Sequence, residues 1–76
     1  MIGAGALAVL RATPPGSRVV VRRLLADGMA SDAVGELEAV DGQRCVVVTA
    51  RGPVTIELAA VIAARAVPPP ARRRGG

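Results

Sequence analysis

The residues with the most to offer chemically are the arginines. Arg18, Arg22, Arg23, Arg44 and Arg65 lie in or beside apolar runs, and side chains gathered from such runs onto one face would offer positive charge to nucleic acid or to an acidic protein. Glu36 and Glu38 lie among them, so the expected state of these arginines is a solvated strand face that is partly neutralised. Single-stranded nucleic acid binding also relies on aromatic stacking, and the chain has no Phe, Tyr or Trp. Cys45 could serve as a nucleophile only beside a base or with a depressed pKa. There is no histidine, so a structural role is expected for the thiol. Asp27 and Asp32 flank one loop, but two carboxylates without further oxygen ligands make a poor cation site, and turn chemistry accounts for both. One cysteine excludes an internal disulfide and, with no histidine, an ordinary zinc site. The expectation is a chain with no catalytic residues, no metal and no cofactor.

The positions of these residues depend on a small scaffold. Seventy-six residues suffice for one domain, and a chain this short buries only about 60% of the surface it exposes when unfolded, so its stability should be marginal. Self-association or docking on a second domain would help. The net charge of +4 favours acidic partners, although three of the ten arginines, Arg72 to Arg74, fall in the tail, where a solubilising linker end is expected. Met1 to Leu10 is apolar but has no basic region before it and ends at Arg11, short of the roughly 18 residues needed to span a bilayer. A cytoplasmic, reducing location is expected, with no membrane partner.

Composition divides the chain into three zones. Residues 1–15 form an Ala/Gly-rich leader closed by Pro14-Pro15, in which Gly3 and Gly5 each weaken a helix by about 1 kcal/mol. Fraying or one loose helical turn is expected there. Residues 16–67 are the folded unit. Residues 68–76 are a Pro/Arg/Gly-rich tail or linker, expected to be disordered because its prolines cannot donate ladder hydrogen bonds.

Within the folded unit, runs rich in β-branched residues predict strands over 18–25, 33–40, 44–50, 54–58 and 62–67. Asp41-Gly42 predicts a two-residue type I′ hairpin. That turn opposes Leu37 to Val46 and Gly35 to Val48, all inward, and leaves Glu36, Glu38, Cys45 and Val47 outside. Keeping charge out of the core then asks for a three-residue loop in the next hairpin, opposing Val48 to Ile56 and Val46 to Leu58, with Gly52 at positive φ. The first pair is expected to oppose Val21 to Leu37 and Arg22 to Glu36 across a long loop, 26–32. Residues 59–61 are too few for an α-helix and predict one 3₁₀ turn.

A long first loop, two tight hairpins, a 3₁₀ turn and a short last strand describe an all-β, five-stranded SH3-like barrel. The run from Gly16 to Leu24, the Asp27-Gly28 loop, Gly35-Glu36-Leu37, the valine run, Arg51-Gly52 and the closing Ala64 to Pro69 resemble the N-terminal SH3-like domain of an actinobacterial group of GNAT-type N-acetyltransferases, some of them named histone acetyltransferases. The resemblance implies an accessory domain that precedes an acetyl-CoA-binding catalytic domain. The Gly-rich pyrophosphate loop of that catalytic fold has no match here, and Gly3 and Gly5 precede no helix of useful length in this reading. The resemblance therefore implies a non-catalytic interaction module whose partner is an acetyltransferase catalytic domain in cis or in trans, with weak self-association. The alternative is a free-standing basic small barrel that binds nucleic acid through the arginines. Proline-peptide binding of the SH3 kind needs an aromatic-lined groove, which this composition lacks.

Overall fold

The computed structural model describes residues 4–67, so the tail expected at 68–76 lies outside the described residues. One helix is followed by five strands: α1 (Ala4–Ala12), β1 (Arg18–Leu24), β2 (Ala30–Val40), β3 (Arg44–Thr49), β4 (Gly52–Glu57), a 3₁₀ turn (Leu58–Ala60) and β5 (Val61–Ala66). The strands form one antiparallel sheet in the order β4-β3-β2-β1-β5. Five strands with a single 3₁₀ turn before the last are what the sequence predicts.

All five strands contribute to one core. Val19 and Val21 enter from β1, Ala33 and Leu37 from β2, Cys45 and Val47 from β3, Ile56 from β4, and Leu58 and Val61 from the 3₁₀ turn and β5. The sheet is so strongly curled that at Gly35 the backbone of β3 occupies the place a side chain would take: an added Cβ would fall on the Val48 carbonyl.

Three hairpins depart from the expected registers, each for a local reason. Asp41-Gly42 does not form a type I′ turn, and Gly42 is not at positive φ. Instead the Asp41 carboxylate accepts hydrogen bonds from the backbone N–H of Gln43 (2.7 Å) and of Arg44 (2.8 Å), while the Asp41 N–H donates to the Arg44 carbonyl (2.9 Å). This wider turn pairs Val40 with Cys45, and a bulge between Leu37 and Ala39 then pairs Leu37 with Val47 and Gly35 with Thr49. The slip of one residue turns β3 over. Cys45 and Val47 are buried and Val48 is exposed, the reverse of the expectation.

The next hairpin follows from that. With Cys45 and Val47 inward, Cys45 meets Ile56 and Val47 meets Val54 across a two-residue turn, Ala50-Arg51, in place of the expected three-residue loop. The Thr49 hydroxyl donates to the Gly52 carbonyl (2.9 Å) and accepts from the Arg51 N–H (3.1 Å), and Gly52 takes the expected positive φ of 119°. In the first hairpin, the Asp27 carboxylate accepts from the Met29 N–H (2.9 Å) and closes the loop early, so β2 starts at Ala30. Val21 therefore opposes Ala33, and Arg22 opposes Asp32 rather than Glu36. This shift covers an even number of residues, which preserves the faces.

The leader is the largest departure. Ala4–Ala12 is a nine-residue helix, not one loose turn. Ala6 and Leu10 lie four residues apart on one face and are both buried, with Leu7 packed beside them against the core. Burial of that face outweighs the poor intrinsic propensity of Gly5, as tertiary packing commonly does for short helices. The Thr13 N–H (3.0 Å) and hydroxyl (2.6 Å) both donate to the Val9 carbonyl at the helix end, and Pro14-Pro15 prevent continuation. Leu10 is 1% exposed. Leu10→Ala is expected to cost about 2–3 kcal/mol, read as a lower urea midpoint; an unchanged midpoint would mean the helix is not part of the cooperative unit.

The Asp41 turn also makes stability depend on pH. The two backbone N–H donors hold the carboxyl below its usual range. A carboxyl with a lowered native pKa adds stability that is complete above the unfolded value, near pH 4, and is lost as pH falls through the native value. Wild type should therefore exceed Asp41→Ala in urea midpoint at pH 7, with the gap closing as pH is lowered towards 2. A gap independent of pH would refute the assignment.

Candidate functional site

The sheet divides the five arginines into three groups. Arg18 and Arg22 alternate with Val20 along the outer face of β1, and Arg65 on β5 opposes Val20, so these three share one surface. On β2, Glu36 opposes Arg18 and Asp32 opposes Arg22. The Arg22 Nε–H donates to Asp32 Oδ1 at 3.0 Å, and this hydrogen bond, with the adjacent negative charge, raises the Arg22 pKa further. Arg65 has no carboxylate partner among the described residues. The surface therefore combines paired charges with a Val20–Val34 stripe.

With side chains 55% and 41% exposed, the Arg22–Asp32 pair is solvated and carries only a surface-pair energy. Arg22→Glu should lower the urea midpoint slightly, and adding Asp32→Arg should restore it, as a double-mutant cycle would read. Failure of the second change to rescue would mean that the pair is not coupled.

Arg44 lies elsewhere. It opposes Glu57 at the β3–β4 side of the sheet and pairs with it at 3.4 Å. Arg23 faces the other way from Arg22, on the inward side of β1 and half-buried. It lines a cleft of about 320 Å³ with Asp32, Thr49, Ala50, Arg51 and Val54. Arg51, which the sequence reading treated only as a turn residue, is the side chain that reading missed. Its signal was a charged residue at the apex of a tight hairpin, but which strand end that apex would approach depends on the register.

The remaining candidates are each held in a local structural role. Cys45 is fully buried, and burial pushes its thiol pKa up, away from nucleophilic character. Asp27 is engaged in its turn, but Asp32 is not the turn residue the sequence predicts: β2 starts at Ala30, which places Asp32 on the strand, where it is held by Arg22. Among the described residues no three His, Cys, Asp or Glu side chains gather as a metal-binding group. No described helix is long and apolar enough to cross a membrane.

Comparison with known proteins adds one positive finding. No curated protein matches the chain, and no solved structure does. A family model described as the Rv0428c N-terminal Sm-like domain matches residues 13–65. That span starts just after α1 and runs through β1 to β4 and into β5. The chain belongs to the family of the Rv0428c N-terminal Sm-like domain, a small β-barrel-type domain.

Proposed function

We propose that this chain is a non-catalytic binding module that joins a protein partner along an open sheet edge. The observation that carries the reading is the strand order: β4 and β5 end the sheet, and each has a strand neighbour on one side only. Such an edge presents backbone donors and acceptors that a further strand can complete. β5 is bulged at Ile62, where its ladder with β1 slips between Arg22 and Arg23, and it carries Arg65, both of which discourage added strands. β4 opens with Gly52-Pro53, and beyond that proline it runs from Val54 to Glu57 without a break, so this stretch of its edge is the proposed docking site. A domain that gains only limited stability from its own core would gain more from such docking.

The sequence resemblance to the accessory domain of GNAT-type N-acetyltransferases supplies the proposed partner, an acetyltransferase catalytic domain in cis or in trans, and the family's description as an N-terminal domain accords with that arrangement. Weak self-association through the same edge is the competing use. Sedimentation velocity should show either a concentration-dependent increase in mass for the chain alone or a complex with a separately expressed catalytic domain from that acetyltransferase group. Backbone amides of β4 should become protected from hydrogen exchange in the same mixture. A monomer at all concentrations with no complex and no protection at β4 would refute the proposal.

A second reading, nucleic acid binding, draws on the shared face of Arg18, Arg22 and Arg65. Its test is a salt titration of RNA affinity, because phosphate contacts give log K a steep negative slope against log salt. A flat or absent dependence would remove it.

A further inference from the structure

The cleft between the β1–β2 and β3–β4 hairpins contains a feature that neither edge docking nor the outer arginine face uses. Arg23 Nε is buried there and has no hydrogen-bond partner in the described structure. A guanidinium nitrogen withdrawn from water without an acceptor bears its desolvation cost with no compensation. Arg23 sits on the inward face of β1, opposite Ser31 on β2 and Val61 on β5, at the end of the barrel where β1 runs towards its hairpin. Arg51, at the apex of the β3–β4 turn, lines the same cleft from the far side.

Neither arginine has an ion pair among the described residues. Arg51 is held in place through its own backbone, whose N–H donates to the Thr49 hydroxyl, and this leaves its side chain exposed at the cleft. Asp32 also lines the cleft, but its Oδ1 accepts from Arg22. The charge facing the cavity is therefore positive. Ala33, Ala50 and Val54 complete the lining with small or apolar side chains, which leaves a space of about 320 Å³. That is enough for a phosphate together with part of the group that carries it.

We propose that this cleft is a phosphate-binding site in which the terminal nitrogens of the half-buried Arg23 donate from the floor, their orientation set by the buried Nε, and the Arg51 guanidinium closes over the anion from the hairpin. The two arginines come from strands that are not neighbours, β1 and the β3–β4 turn, so the ligand bridges the two hairpins across β2. Guanidinium groups suit this role because they remain charged and offer several donors to a phosphate. The ligand chemistry is a phosphate group, carried either by a free or monoester phosphate or by the backbone of a single RNA strand.

The test is a titration of the isotopically labelled chain followed by NMR at the arginine Nε–H signals. One arm uses inorganic phosphate and the other a six-residue uridine oligoribonucleotide, which offers internal phosphodiesters. The expected result is a saturable shift of the Arg23 and Arg51 signals with little change at Arg44. Saturation by phosphate alone identifies the free or monoester form, and saturation by the RNA as well identifies a backbone site. Arg51→Ala should weaken binding about tenfold while leaving the urea midpoint unchanged, and Arg44→Ala should leave the affinity within about twofold. Arg23→Lys keeps the charge but removes the planar guanidinium with its several donors, and should weaken binding comparably. Linear shifts spread evenly over all arginines, or an Arg51→Ala variant that binds as well as wild type, would overturn the proposal.

Discussion

Gly35→Ala is expected to destabilise the domain by about 4 kcal/mol or more, enough to leave a chain of this size largely unfolded at 25 °C. The new methyl group would occupy the position of the Val48 carbonyl and crowd the Val48 carbonyl carbon and the Thr49 Cα. These are backbone atoms and cannot move aside by changing rotamer. Relief would require β2 and β3 to separate at the pair Gly35–Thr49, in the middle of the sheet. Gly42→Ala supplies the contrast, because nothing lies within 4 Å of a Cβ there and its φ is not positive. Circular dichroism with urea titration of both variants gives the measurement. A Gly35→Ala protein with a wild-type midpoint would show that the sheet is less tightly curled than described.

The second large effect concerns neighbouring valines. Val47→Asp should abolish folding, because Val47 is fully buried between Leu37 on β2 and Val54 on β4, and a carboxylate there has no partner. Val48→Asp should leave the domain folded at a cost of about 1–2 kcal/mol, because Val48 is on the outer face and 37% exposed, and the new carboxylate meets only a solvated like charge, Glu36, across the ladder. The register expected from a type I′ turn predicts the opposite outcome at both positions. A soluble, cooperatively unfolding Val47→Asp protein beside an unfolded Val48→Asp protein would restore that register and refute the one observed.

These two valines also show where the sequence stops being informative. From Cys45 to Val48 every residue is apolar, so no alternation marks which side of β3 faces the core. The choice passes to the turn before it, where the dipeptide Asp-Gly admits either a two-residue turn with positive φ or a turn capped by the Asp41 carboxylate. The second forms, and the whole strand turns over with it. On β1 and β2 the alternation of apolar and charged residues is clear. The faces of Val19, Val21, Ala33, Gly35 and Leu37 were therefore legible even though the register was misread by an even number of residues. The helix was hidden because Ala6 and Leu10 gain their value only from the core they meet, and neither position has a strong intrinsic signal. Arg23 and Arg51 were hidden for a related reason: their proximity requires two hairpin registers to be known at once. The grouping of Arg18 and Arg22, which lie on one strand at a spacing of two turns of the pleat, needed only the strand itself.

The pairing of β1 with β5 also bears on the order in which the domain can assemble. The hairpins β1–β2, β2–β3 and β3–β4 each join segments adjacent in sequence, at a low entropic cost of loop closure. The β1–β5 ladder instead joins Val19 to Ala66 and so encloses almost the entire sheet, and α1 packs against that same last strand. During synthesis the three hairpins can therefore form as they emerge, while the free side of β1 and the apolar face of α1 wait for the final strand. A ribosome that has not yet released residues 61–66 carries an incomplete barrel, with both surfaces open to whatever else is nearby.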